Sequence, residues 1–111
     1  MRIDRRRVGT VDVLAPVGAL IDQEGESFVA ELIVRARSAN ARVVVAMNDV
    51  PCMDSAALEG LLTAADAMSD RAAALKLAGL TGTCREILEI TGLAGRFGLF
   101  REVQDAVRSF L

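Results

Sequence analysis

Arg42-Val43-Val44-Val45-Ala46-Met47-Asn48-Asp49-Val50-Pro51-Cys52-Met53-Asp54-Ser55-Ala56-Ala57-Leu58-Glu59-Gly60-Leu61-Leu62 changes its hydrophobic period half-way along. The first part is a short apolar, β-branched run ending in turn residues, which predicts a buried strand over 42–47. Beyond the turn, Leu58, Leu61, Leu62 and Ala65 recur at helical spacing and predict a helix over 55–68. Asp54 is a good N-cap, and Met53 and Leu58 then fall at the N′ and N4 positions of a hydrophobic staple. Ser55 becomes the first helical residue, with a hydroxyl spared from capping and placed for modification. Serine is itself a common N-cap, so on this stretch alone that assignment stays open.

Working outward, 3–7 and 11–15 read as two strands joined at Gly9-Thr10, a short hairpin closed by Pro16 and Gly18. Asp22 is expected to cap a helix running to about residue 38, with Phe28, Val29, Leu32, Ile33 and Ala36 on its core face. A fourth strand is expected over 73–78. Thr83-Cys84-Arg85-Glu86 has the form of a capping box, and Gly92 followed by Leu93 is a natural helix stop. Residues 97–100 read as a last strand, and Val103, Ala106, Val107 and Phe110 as the core face of a terminal helix. The order β-β-α-β-α-β-α-β-α predicts one α/β domain: a mixed, mostly parallel sheet with an N-terminal hairpin and four helices.

Composition narrows the function. The chain of 111 residues is 52% hydrophobic and 25% charged, a globular balance, with four Phe and no Trp or Tyr, so its core is aliphatic. A net charge of −2 gives no general attraction to nucleic acid, and Arg5-Arg6-Arg7 reads as a solvated strand end. Charges stand where a signal peptide would need its apolar stretch, and no run reaches transmembrane length. A cytoplasmic protein without a membrane partner is expected. Cys52 and Cys84 lack zinc or redox spacing and read as free thiols.

The absence of histidine removes Ser-His-Asp and Cys-His chemistry, His-ligated metals and a His base. Ser55 lies in no G-x-S-x-G elbow, and neither nucleotide-binding glycine motif occurs. Asp49 and Asp54 could do acid–base work, but no third group converges on them and turn and cap roles explain both. We therefore expect no enzyme, no catalytic residue, no metal and no cofactor.

On these residues the chain resembles the STAS domains of the bacterial anti-sigma factor antagonist family. Val50-Pro51-Cys52-Met53-Asp54-Ser55-Ala56-Ala57-Leu58 is similar to the family's Asp-Ser-x-Gly-Leu signature at the start of the second helix. Gly18-Ala19-Leu20-Ile21-Asp22 matches its turn before the first helix, and Ile87-Leu88-Glu89-Ile90-Thr91-Gly92-Leu93 with Phe97 its C-terminal pattern. The resemblance implies a switch protein whose phosphoacceptor is Ser55. An anti-sigma factor acting as serine kinase modifies it, a phosphatase restores it, and the unmodified form binds the anti-sigma factor. Asp22, Asp54, Ser55, Ala56, Ala57, Glu59 and Thr63 are then the partner-binding residues. Two positions depart from the family: Ala57 replaces glycine, expected to add a methyl near the partner surface, and Glu59 adds a negative charge where a small residue is usual.

The second helix also carries a stripe of small residues, Ala56, Gly60, Ala64 and Ala67, beside a polar face of Glu59, Thr63, Asp66 and Asp70. Gly60 within a helix costs roughly 1 kcal/mol relative to Ala, which the close approach of another helix, internal or external, would offset. Two other functions fit the same sequence. One is a non-switching STAS subunit of a stressosome or lipid-transport complex. The other is a small-ligand or nucleotide sensor using Gly79-Leu80-Thr81-Gly82-Thr83, whose glycines a tight strand-to-helix turn explains more simply.

Overall fold

Five strands form one sheet in the order β1-β2-β3-β4-β5 in the computed structural model, which describes residues 1–69 and 73–111. β1 (Arg2–Val8) and β2 (Val11–Val17) make the expected antiparallel hairpin; β3 (Val43–Ala46), β4 (Lys76–Ala78) and β5 (Gly98–Phe100) follow in parallel. Each parallel step is bridged by a helix: α1 (Asp22–Ala36), α2 (Ser55–Ser69) and α3 (Gly82–Thr91). α4 (Val103–Arg108) closes the chain, so the sequence order of elements holds throughout.

The period-two pleat sorts the sheet residues onto two faces. Leu14, Val43, Val45 and Leu77 join Phe28 and Leu32 of α1, Leu58 and Leu61 of α2 and Leu88 of α3 in the larger core. Val11, Val13, Val44, Ala46 and Ala78 point the other way, onto Ala106 and Val107 of α4. All of β3 is buried, which is why its text is an unbroken apolar run. Full burial of each large aliphatic or aromatic side chain contributes about 1.5–3 kcal/mol.

Several boundaries differ from the sequence reading. β2 runs on through Pro16, which lies beyond Leu14, the last residue paired to β3, so the missing N–H breaks no bond to that strand. β4 begins at Lys76 instead of residue 73, and the part of the α2 polar face at Asp70 lies outside the described residues. α3 starts two residues early: Thr81, not Thr83, is its N-cap, accepting the Cys84 N–H and donating to the Val50 carbonyl at 2.9 Å. A short 3₁₀ turn, Ala94–Arg96, precedes β5 and was not anticipated.

Gly92 does stop α3. It sits at φ 72°, where its own N–H reaches the Glu89 carbonyl and the Leu93 N–H reaches that of Leu88, the paired bonds of a Schellman motif.

Candidate functional site

The loops after β2 and β3 lie side by side at the carboxyl ends of the strands. Leu20 and Met53 form an isolated parallel bridge, with the Leu20 N–H on the Cys52 carbonyl and the Asp54 N–H on the Leu20 carbonyl, each at 3.0 Å. The Gly18 N–H bonds the Asp49 carbonyl at 2.9 Å and extends the seam. The starts of α1 and α2 are thereby fixed to each other through backbone.

Asp54 completes that junction. Its Oδ1 accepts the Ala57 N–H and its Oδ2 accepts the Asp22 N–H, both at 2.9 Å. The first bond is the N-cap of α2, as the sequence led us to expect. The second corrects the role given to Asp22, which is not the cap of α1. Ile21 holds the cap position without a side-chain bond, and Asp22 is the first helical residue at φ 51°, its amide turned onto Asp54. One carboxylate therefore serves two helix N-termini. The Ala57 amide, then that of Asp22, hold its carboxyl below the usual carboxylate range.

Because Asp54 supplies the capping oxygen, Ser55 opens the helix with an exposed side chain. Ala56, Glu59 and Thr63 continue the solvent face at helical spacing, Thr63 returning its hydroxyl to the Glu59 carbonyl at 3.0 Å. Asp22 is exposed beside them, next to Ile21, an apolar residue that is 40% exposed. Ile21 was not singled out in the sequence, although an isoleucine between a turn and a polar helix start is a readable signal. No lysine or arginine occurs in 18–24 or 48–59, so this surface is acidic.

Ala57 requires a second correction. It is 1% exposed and faces inward toward Gly25, so its methyl is not on the surface where a partner would meet it. The small residues of α2 divide similarly. A Cβ on Gly60 would lie 2.6 Å from that of Val29 in α1, so the approach that offsets its helix cost is internal. In the Gly79–Thr83 turn the Gly79 N–H bonds the Phe100 carbonyl and the Thr81 hydroxyl that of Val50. Both cysteines are free, Cys84 buried with its thiol pKa pushed up by that burial. Among the described residues no cluster of three His, Cys, Asp or Glu could hold a metal, and no helix is long and apolar enough to cross a membrane.

The fold is a small α/β domain that presents a serine at a doubly anchored helix start. The family can then be stated: the STAS domain model matches residues 2–106, and the chain belongs to the STAS family. No curated protein matches it by sequence. Among solved structures it is similar to an anti-sigma factor antagonist (STAS) domain protein from Planctomyces limnophilus, with TM-score 0.82 and 16% identity over 96% of each chain. SpoIIAA in its unphosphorylated form superposes with TM-score 0.81 and 17% identity over 98% of this chain and 96% of that one. The phosphorylated form of that Bacillus cell fate determinant gives 0.76 at 17% identity, over 99% and 100%. A sulfate transporter family protein from Wolinella succinogenes shares the fold with TM-score 0.75 and 17% identity over 94% and 88%.

Proposed function

We propose that this STAS domain is a cytoplasmic anti-sigma factor antagonist switched by phosphorylation of Ser55. An anti-sigma factor with serine kinase activity binds the unmodified face formed by Asp22, Asp54, Ser55, Ala56, Glu59 and Thr63, and a phosphatase reverses the modification. The observation that carries the reading is the separate cap: Asp54 occupies the helix N-terminus and leaves the Ser55 side chain exposed. The similarity to SpoIIAA, known in both phosphorylation states, supports it.

The switch would be electrostatic. A phosphoserine carries about −1.5 to −2 charge at neutral pH. At the start of α2 the helix dipole favours that charge by about 0.3–1 kcal/mol, so the fold tolerates it. A partner seated over Ala56 and Glu59 would have to desolvate the dianion beside Asp54, with no cation in either loop to offset it.

Incubation with the cognate kinase and ATP, followed by intact-mass and peptide mapping, tests the assignment. Phosphate on Ser55 alone is expected. Label on Ser27, Ser38, Ser69 or Ser109, retained in Ser55→Ala, would sink it. The likeness to a transporter family protein favours a second reading, a STAS subunit whose Ser55 is never modified. Failure of every candidate kinase to label the folded protein would select that one.

A further inference from the structure

At the opposite pole, where the parallel strands begin, an open cleft of about 920 Å³ is surrounded by the hairpin turn, the α1–β3 loop, the start of β4 and the end of α4. Its walls include Arg7, Thr10, Asn40, Arg42, Lys76 and Ser109 and, among the described residues, no acidic one. The three cations come from three elements: Arg7 near the end of β1, Arg42 just before β3, Lys76 as the first residue of β4.

Several arginines on other faces are answered by carboxylates, as in Arg5–Glu31, Arg96–Asp66 and Arg108–Asp105. Of the three cleft cations, among the described residues, only Arg7 is. Arg7 shares Asp12, at 3.6 Å, with Arg35, at 3.7 Å. Arg42 donates to the Thr10 hydroxyl at 3.0 Å. Lys76 donates to Ser109 and stands 3.9 Å from the Phe110 ring centroid and 5.6 Å from that of Phe100. Among the described residues no carboxylate comes within ion-pair distance of Arg42 or Lys76. Burial lowers the Lys76 pKa.

We propose that this cleft is a binding site for a soluble anion carrying two or more phosphoryl groups, held by Arg7, Arg42 and Lys76. A di- or triphosphate offers enough anionic oxygens to meet all three cations and the polar groups beside them. Guanidinium forks and an ammonium are the side chains that phosphate oxygens select, and Thr10, Asn40 and Ser109 add polar partners. The volume falls in the range of small-molecule sites, and a concave wall suits a soluble ligand better than a membrane surface. The site is independent of Ser55 and of the switch proposed for it.

Titrating the isotope-labelled chain with inorganic pyrophosphate and tripolyphosphate at about 0.15 M salt, where exposed charges are screened beyond about 8 Å, provides the test. Saturable amide shifts confined to Thr10, Asn40, Arg42, Lys76 and Ser109 are expected, with a Kd below about 1 mM and at least about tenfold tighter than sulfate. Lys76→Met keeps an apolar stem over Phe110, and Arg42→Gln changes a loop position. Each should weaken binding by about tenfold or more while circular dichroism stays unchanged, and Ser55→Ala should bind like the parent. Any of four results overturns the proposal: no saturation by about 10 mM, shifts scattered over all surface cations, equal binding of sulfate, or folded variants that bind like the parent. Binding only to phosphatidylcholine vesicles containing one-fifth phosphatidylserine, unaffected by pyrophosphate, overturns it as well.

Discussion

At the carboxyl ends of β2 and β3 the loops are stitched to one another by several backbone bonds, while at the amino ends the loops surround an open cleft. There they meet through Arg42, whose carbonyl accepts the Asp12 N–H and whose side chain donates to Thr10. The first end is acidic and its capping groups are assigned; the second gathers three cations, of which, among the described residues, only Arg7 meets a carboxylate. The difference separates two ways of exposing chemistry. Around Ser55 the geometry is rigid, so a change of charge alters recognition without altering shape. Around Lys76 the charge is already present, and no carboxylate among the described residues answers it.

The largest effect should come from charging the rigid end. Phosphorylation of Ser55 should weaken binding to the anti-sigma factor by about 2–5 kcal/mol, enough to erase micromolar affinity, while circular dichroism and melting stay as they were. Calorimetry on the modified protein checks it, and undiminished binding would refute the electrostatic switch.

Next in size is the contact that holds α2 in place. Gly60→Ala forces a methyl onto Val29, an overpacking cost of about 1–3 kcal/mol that the roughly 1 kcal/mol gain in helix propensity only partly offsets. Gly82→Ala, with open space around it, should lose nothing in the same denaturant melts. Equal losses in the two would show that α1 and α2 do not meet as described.

Asp54→Ala should lower Tm by roughly 5 °C, and Ser55→Ala by much less, because the cap bond belongs to Asp54. The sign of its pH dependence follows from the lowered pKa. Stability from the carboxylate is complete above its ordinary value near 4 and is lost as pH falls through the lower folded value. Asp54→Asn should therefore flatten the acid limb of a stability–pH curve. An unchanged limb would mean that the amides do not favour the ionised form.

The smallest effect belongs to the open end. Arg42→Ala loses a single bond to an exposed hydroxyl and should change stability by no more than about 0.5 kcal/mol. A larger loss would indicate that the cleft cations hold the fold together instead of waiting for a ligand.

What the sequence discloses follows how local each determinant is. The β3 run, the Asp54 cap and the Gly92-Leu93 stop are each set by a few adjacent residues, and all were readable. The Thr81 cap was missed because its other bond goes to Val50, 31 residues away, and local spacing favoured Thr83. Asp22 was misread for the same reason, since its amide partner stands 32 positions off. Ala57 was legible and overlooked: with Leu61, Ala64 and Met68 it completes the buried stripe of α2, and periodicity alone places it inward. The basic cleft was hidden because Arg7, Arg42 and Lys76 become neighbours only when strand ends are aligned by the sheet.

The shared carboxylate of Asp54 has a spectroscopic corollary. The amide protons of Asp22 and Ala57 lie on two different helices, yet both rest on the same pair of oxygens. Their chemical shifts should titrate together with one midpoint, that of Asp54. Their hydrogen exchange should also quicken together when that side chain is removed, while other amides of α1 keep their own rates. Two probes 35 residues apart would thus report one proton.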